Sequence, residues 1–363
     1  MRPKPYLEPM PVRGRINKPQ PLGLPVINMG FNELPWCPPP AVAEALAQAS
    51  HHAQSYGSPF CDDLREALGA THGLNPDHLI CGNGSEELLD VIGRVFARPG
   101  DEILISAYGY IQFALVANRV GATLVKAPEA DFTTDTGALL AAVTDRTRIL
   151  YLANPNNPTG TYLPVEALER LAQDLPSSVL LVLDLAYGEF APEGYCAAVH
   201  EIVHAHEHVV VTRTFSKAYG LAGARTGWCH GPAWIIPALY AARAMGPVSA
   251  LAQAAALAAL TDMETVHERI ATMNAERARV TEALEARQFQ VLPSQTNFLL
   301  LSPPDRSPET AEAMVVHLFD KAGLIVGRTR EAGLERFLRI SPSLPEHNDL
   351  MIKTLDDFRS QRP

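Results

Sequence analysis

The sequence predicts an α/β fold in which a large domain with a mostly parallel central sheet is followed by a smaller α+β C-terminal domain. Three observations carry this. From about residue 78, short apolar runs alternate with helical stretches, the pattern of successive βα units. Several of those runs are apolar on both faces, as strands are when helices cover both sides of their sheet. After about residue 245 the texture changes to a long pattern rich in Ala, Leu and Glu, and then to separate short strands. The 363 residues, 47% hydrophobic and 19% charged, are enough for one large core with a substantial appendage or for two domains.

Taken in order, residues 1–39 form an arm. Eleven of the thirty prolines fall within the first forty residues, where fixed φ and missing N–H groups forbid ordinary helix. Such a segment is either a disordered tail or a strap laid over another surface. Residues 40–245 form the large domain. It opens with a helix over Pro40–Ser55, with Pro40 in the first turn and Val42, Ala45, Leu46 and Ala49 on one face. Strands are expected at His78–Cys81, Glu102–Ile105, Thr147–Leu152, Val179–Leu183 and His208–Val211. Residues 246–363 form the small domain, connected by a long helix over Ser249–Glu285. Strands near Phe289–Leu292 and Asn297–Leu301 follow, then a helix over Thr310–Ala322.

Thirty Lys and Arg against forty Asp and Glu give a net charge of −10, which argues against nonspecific binding to nucleic acid or anionic membrane. The five cysteines include no C-x-x-C pair, so neither a disulfide framework nor a zinc knuckle is signalled, and a reducing cytoplasm is expected. The N-terminus lacks the apolar centre of a signal peptide, and no apolar stretch approaches the roughly 18 residues of a membrane span.

In an open α/β sheet, ligands bind beyond the carboxyl ends of the strands, so the residues after each run are the informative ones. The first run ends in Cys81-Gly82-Asn83-Gly84-Ser85-Glu86, a turn into a helix whose free N–H groups suit a phosphate. The second gives Ser106-Ala107-Tyr108-Gly109-Tyr110, which offers an aromatic face. The third gives Asn154-Pro155-Asn156-Asn157-Pro158-Thr159-Gly160, whose two Asn-Pro steps leave Asn157 as a fixed amide donor. The fourth ends in Asp184, a carboxylate at the mouth of a buried strand that calls for a cationic or N–H partner, with Tyr187 following. The fifth leads into Thr214-Phe215-Ser216-Lys217, with Arg225 eight residues further on in a loop loosened by glycines. One ligand answers all of these: pyridoxal 5′-phosphate has a phosphate, a flat ring, a ring nitrogen that welcomes a carboxylate, a phenolic oxygen and an aldehyde for lysine.

The segments N-P-N-N-P-T-G, D-x-A-Y-G-E-F and R-T-F-S-K-A-Y-G-L-A-G-A-R-T-G, in this order, resemble the fold-type-I pyridoxal-phosphate enzymes of aminotransferase class I/II, and most closely the histidinol-phosphate aminotransferase branch. The resemblance runs from about Asn28 to Asp349. It implies that Lys217 joins the cofactor covalently and, once displaced, moves the Cα proton. It implies that Asp184 pairs with the protonated ring nitrogen, that Asn157 and Tyr187 bond the phenolic oxygen, and that Tyr108, or else Tyr110, stacks on the ring. For the cofactor phosphate it implies Thr214, Ser216 and Arg225 as side-chain donors and Gly84, Ser85 and Glu86 as the backbone turn. Tyr56 matches the tyrosine that reaches the phosphate in a neighbouring subunit, which implies a homodimer with shared active sites. Arg339 matches the arginine that binds the substrate anion, and Asn157 lies beside the substrate as well. The arm is then expected to be ordered across the dimer.

The substrates implied are an amino donor and a 2-oxo acid, exchanged by a ping-pong mechanism. Three departures leave the donor open between histidinol phosphate and an α-amino acid. Arg328 stands one place later than the family's second substrate arginine, the arm holds only Tyr6, and Leu185 replaces an acidic residue. The cofactor-holding residues also do not fix which bond to Cα breaks, so a decarboxylase or oxidase on the same scaffold is an alternative. From another class comes His200-Glu201-Ile202-Val203-His204, an H-E-x-x-H pattern that on a helix presents two imidazoles for zinc. It has no third ligand at a recognisable spacing, and a zinc hydrolase leaves the lysine loop unexplained. A dinucleotide fingerprint fails because Glu87 stands where the third glycine is needed, and the arm is too short and irregular for a helix-turn-helix unit.

Overall fold

The computed structural model describes residues 23–329 and 331–360; the first 22 residues of the arm, Tyr6 among them, lie outside these. The remaining arm carries β1 (Ile27–Asn28) and leads into α1 (Pro40–Ser50) and α2 (Asp62–His72). A walk along the large domain then meets β2 (Leu79–Gly82), α3 (Ser85–Phe96), β3 (Glu102–Ser106), α4 (Ile111–Val120) and β4 (Thr123–Ala127). A small hairpin, β5 (Glu129–Ala130) and β6 (Thr133–Thr134), and α5 (Thr136–Ala141) precede β7 (Thr147–Ala153). There follow α6 (Val165–Asp174), β8 (Leu180–Asp184), α7 (Tyr195–Ala205), β9 (Val209–Thr214), β10 (Gly227–His230) and α8 (Ile235–Ala242).

Seven of these strands form one sheet in the order β2-β10-β9-β8-β7-β3-β4. Every pairing is parallel except the two made by β10. The period-2 alternation of side chains divides the strand residues between two cores. Ile103, Ile105, Ile149, Tyr151, Val182 and Val210 meet α3, α4 and α8 on one face. Leu104, Leu150, Leu152, Leu181, Leu183, Val209 and Val211 meet α6 and α7 on the other. The expected strands are all present, extended by one to three residues at their C-terminal ends, so that Asp184 and Thr214 are themselves strand residues. Two strands of this sheet were not foreseen. The edge strand β4 is half exposed and carries little apolar signal, and β10 starts on a glycine in what reads as a loop.

The helix from Pro40 stops at Ser50, short of Ser55. The long pattern from Ser249 is two helices, α9 (Ala250–Thr261) and α10 (Met263–Glu285). The break is at Asp262, whose carboxylate accepts the Thr265 N–H and caps the second helix. This shifts the boundary expected at residue 245. α9 packs with α1 and α2 on Phe215 and Trp228 of the large domain, and α10 adds Val266, Ile270 and Met273 to that core. The small-domain core takes only the later Val280 and Leu284, so packing divides the chain inside α10.

The small domain adds β11 (Gln290–Val291), β12 (Leu299–Ser302), α11 (Pro308–Ala322), β13 (Leu324–Ile325), β14 (Gly327–Arg328), β15 (Leu338–Ile340) and α12 (Pro345–Ser360). Its sheet runs β11-β12-β15-β14, and α11 and α12 cover one face. The arm docks here: β1 pairs parallel with β13, and Met29 is fully buried in the small-domain core. Gly30 makes the approach possible, because a Cβ there would sit 3.0 Å from the Gly327 nitrogen. Among the described residues no helix is long and apolar enough to cross a membrane.

The start of α3 is pressed against β10 at Gly227, where a Cβ would meet the Ser85 nitrogen at 2.3 Å and the Gly84 carbonyl carbon at 2.6 Å. Gly227→Ala is therefore expected to cost about 3 kcal/mol of stability, since backbone on both sides must move. Urea unfolding checks this, and an unchanged midpoint would show that the two backbones are not in close contact.

Candidate active site

The parallel pairings bring the ends of β3, β7, β8 and β9 to one edge of the sheet. β2 ends at the same edge and β10 begins there, because β10 runs antiparallel between β2 and β9. Beyond that edge lies a cavity of about 360 Å³, walled by the loops that follow these strands, by the arm at Phe31 and Asn32, and by Arg339 of the small domain. The strand-end residues singled out from the sequence are largely gathered in it: Ser85, Glu86, Asn157, Asp184, Tyr187, Thr214, Ser216, Lys217, Arg225 and Arg339 all line its wall.

One end is built for an anion. α3 starts at Ser85 with Gly84 as N-cap, and no side chain caps its first turn, so free N–H groups and the positive end of the helix dipole are on offer. Arg225 reaches across, with Nη1 3.4 Å from Ser216 Oγ and Nη2 3.5 Å from Glu86 Oε2. Thr214 Oγ1 lies 3.0 Å from Ser216 Oγ. A Cβ on Gly84 would fall 2.7 Å from Arg225 Nη2, so the glycine keeps the cradle open.

Asp184 lies at the centre, 2% exposed, on the last residue of β8. Register sets it beside Thr212 of β9, whose Oγ1 donates to Asp184 Oδ1 at 2.8 Å. The Ala186 backbone N–H also stabilises the anion, which is the N–H half of the partner expected from the sequence. No cation of the described residues pairs with it. Burial therefore dominates and pushes its pKa up to about 7.

Opposite sits Lys217, whose Nζ donates to the Asn32 carbonyl at 3.1 Å and stands 5.7 Å from the Tyr187 ring centre. Tyr187 Oη accepts from Asn32 Nδ2 at 2.8 Å. Asn157 Oδ1 accepts from Arg339 Nη1 at 2.8 Å, which leaves the Asn157 NH₂ group free to donate into the cavity. Arg339 Nη2 donates to the Gly30 carbonyl at 3.2 Å, and among the described residues its buried Nε has no partner.

Two sequence expectations differ. Tyr108 is not at the cavity: its N–H donates to Glu129 Oε1 and its ring packs 5.8 Å from Phe132. The tight turn closed by Gly109 N–H on the Ser106 carbonyl delivers Tyr110 instead, the alternative, whose hydroxyl donates to Glu86 Oε1 at 2.5 Å. Arg328 is also elsewhere, paired with Glu312 of α11 and the Glu335 carbonyl. The cause is register: Gly327, not Arg328, lies opposite Arg339, so Arg328 falls on the other face of the small sheet with Leu338. Tyr56 is fully exposed and lies outside this chain's cavity.

The H-E-x-x-H helix turns His200 inward onto Trp228, with Nδ1 3.0 Å from His230 Nδ1 and Nε2 3.5 Å from Arg213 Nη1. Burial holds His200 and His230 well below the usual imidazole range. Among the described residues no three His, Cys, Asp or Glu side chains converge to hold a metal ion, so the zinc reading has no geometry to rest on. Asn32 was missed by sequence reasoning. The arm has no periodicity to reveal it, and an Asn accepting left-handed backbone, here φ 56°, is its only local hint.

Two features fit pyridoxal phosphate: a buried carboxylate lacking a cation, matched to a ring N–H⁺, and a cradle of Arg225, hydroxyls and a helix N-terminus, matched to the phosphate. The comparisons agree. The model of the family "aminotransferase class I and II" matches residues 25–355. The histidinol-phosphate aminotransferase of Rhodopseudomonas palustris (strain HaA2) is 38% identical over 341 residues, 93% of each chain. That of Erythrobacter litoralis (strain HTCC2594) is 40% identical over 337 residues, 92% of this chain and 90% of its own. The crystal structure of histidinol-phosphate aminotransferase from Sinorhizobium meliloti in complex with pyridoxal-5′-phosphate superposes with a TM-score of 0.87 at 34% identity, covering 93% of this chain and 91% of the other.

A raised carboxyl pKa has a stability signature. Below the unfolded value near 4 the buried group is neutral in both states and costs nothing. As pH rises toward 7, only the unfolded state ionises freely and the cofactor-free protein loses stability. Asp184→Asn removes this dependence. Its stability relative to the parent is expected to grow by roughly 4 kcal/mol between pH 4 and pH 8. Urea unfolding at both pH values measures it, and a constant difference would contradict the burial argument.

Proposed function

The chain belongs to the aminotransferase class I and II family, and from that premise we propose that this cavity holds pyridoxal 5′-phosphate on Lys217 and moves an amino group from a donor to a 2-oxo acid. The observation that carries the reading is Lys217 sharing one cavity with Asp184, a buried carboxylate that no cation of the described residues neutralises. When bound, the cofactor supplies an aldehyde carbon that takes the amino group and an electron-poor ring that accepts the electron pair of a broken Cα–H bond.

The rest is the work of this chain's side chains. Arg225, Ser216, Thr214 and the first N–H groups of α3 hold the phosphate, and Arg225 can make a planar two-pronged contact that lysine cannot. Asp184 holds a proton on the ring nitrogen, which gives the carboxylate the cation it lacks. Asn157 Nδ2 and Tyr187 Oη donate to the phenolic oxygen, and Tyr110 covers the ring. Lys217 Nζ, when free, would take the proton from substrate Cα, and the Asn32 carbonyl accepts a hydrogen bond from it. Arg339, already oriented by Asn157 and Gly30, binds the substrate anion.

The donor is histidinol phosphate, the substrate in the names of the relatives. Donor and acceptor use the same cavity in turn, which is a ping-pong cycle. Tyr56, unpacked in a single chain, serves the phosphate of a second copy, so the working form is a homodimer. Five unpaired cysteines suit a reducing cytoplasm.

Lys217→Ala is expected to lose both turnover and the visible absorbance of protein-bound cofactor; a variant keeping both would overturn the assignment. Arg339→Gln should raise KM for anionic donors by about 100-fold with the visible band unchanged. A panel of amino donors scored by loss of that band identifies the substrate, and failure of histidinol phosphate to discharge it while another donor does would replace the donor named here.

A further inference from the structure

Asn32 comes from the arm, is 2% exposed, and holds φ at 56°, a left-handed conformation that asparagine accepts more readily than most residues. Its polar groups are tied into four other segments of the chain. The backbone N–H donates to Ser341 Oγ at 3.0 Å, and Ser341 Oγ lies 3.3 Å from Asn32 Oδ1. The carbonyl accepts from Lys217 Nζ at 3.1 Å and from Asn297 Nδ2 at 3.0 Å. The side-chain Nδ2 donates to Tyr187 Oη at 2.8 Å.

This network sets the direction of every proton in it. Ser341 Oγ accepts the Asn32 N–H, so its own hydrogen goes to Asn32 Oδ1, and that fixes the amide orientation with Nδ2 facing Tyr187. Tyr187 Oη must then be the acceptor. Among the described residues Asn32 is its sole hydrogen-bond partner, so the phenolic hydrogen is left for the cavity that Tyr187 lines.

We propose that Asn32 is a positioning residue that, by donating to Tyr187 Oη, fixes Tyr187 as a proton donor into the cavity. This rests on the cofactor reading above, in which Tyr187 donates to the phenolic oxygen. That donation stabilises the oxygen's anionic form and so lowers the pH at which the bound chromophore titrates. Of the groups lining the cavity, the Asn32 side chain bonds Tyr187 alone, which separates a positioning role from a merely structural one.

The experiment is a pH titration of the visible band of cofactor-loaded protein, for the parent, Tyr187→Phe, Asn32→Gly, Asn32→Asp and the two double variants. Glycine and aspartate both tolerate the left-handed backbone, so either variant carries the test if the other fails to fold. The other charged or titratable groups lining the cavity, Lys217, Asp184, Tyr110, Glu86, Arg225 and Arg339, are the same throughout. Tyr187→Phe is expected to raise the midpoint by about one pH unit, the size of a hydrogen bond to a charged oxygen. Asn32→Gly should raise it in the parent and leave it unmoved in the Tyr187→Phe background. Asn32→Asp, which turns Tyr187 into a donor toward residue 32, should raise it further in the parent than in that background. Equal shifts in both backgrounds, or no shift in either, would overturn the positioning role. Absence of any visible band from the loaded parent would overturn the cofactor reading instead.

Discussion

A carboxylate at the end of a buried strand, with no cation beside it among the described residues, is the constraint around which this molecule is arranged. Asp184 is held where its anion is poorly solvated, with only the Thr212 hydroxyl and one backbone N–H to compensate. That position follows from the fold. Asp184 is the last residue of a central strand and stays buried there, and the register of β8 against β9 leaves a threonine, not a cation, beside the acid. The missing positive charge is the chain's clearest statement of what it binds. A ligand that brings a protonated ring nitrogen removes the penalty and gains a strong, directional hydrogen bond.

Around that charge the remaining parts fall into a polarity. The N–H groups at the start of α3 and the Arg225 guanidinium lie together where a phosphate would sit, beside the Glu86 carboxylate and in a chain whose net charge is −10. Local arrangement thus outweighs the global sign, because exposed charges more than about 10 Å away are largely screened. The opposite wall comes from elements distant in sequence. Gly30 of the arm and Asn157 of the large domain orient Arg339 of the small domain, and Asn32 touches Lys217, Tyr187 and Ser341 at once. The arm is therefore part of the site, anchored by Met29 in the small-domain core and by β1 on β13.

Much of this was legible before any coordinates. Apolar runs ending in Asp184, or leading to Asn157 and Lys217, mark strand ends because strand burial and ligand chemistry leave separate signatures in adjacent residues. Features governed by tertiary packing were not legible. Whether Tyr108 or Tyr110 reaches the cavity depends on how a turn closes on Ser106, and Arg328 was misplaced because a one-residue difference in register moves a side chain to the other face of a sheet. Which domain α9 packs on was not legible either, because the helix is apolar nearly all round, which suits a packed helix in either domain. The H-E-x-x-H pattern shows the converse, a motif whose spacing is right while its first imidazole is stacked inside the core.

The proposed pairing of Asp184 with a protonated ring nitrogen is most directly tested by nitrogen NMR of the protein loaded with pyridoxal phosphate labelled with ¹⁵N in the ring. A pyridinium-type shift is expected at pH 8 in the parent, replaced by the shift of an unprotonated pyridine in Asp184→Asn. An unprotonated ring nitrogen in the parent at that pH would contradict it.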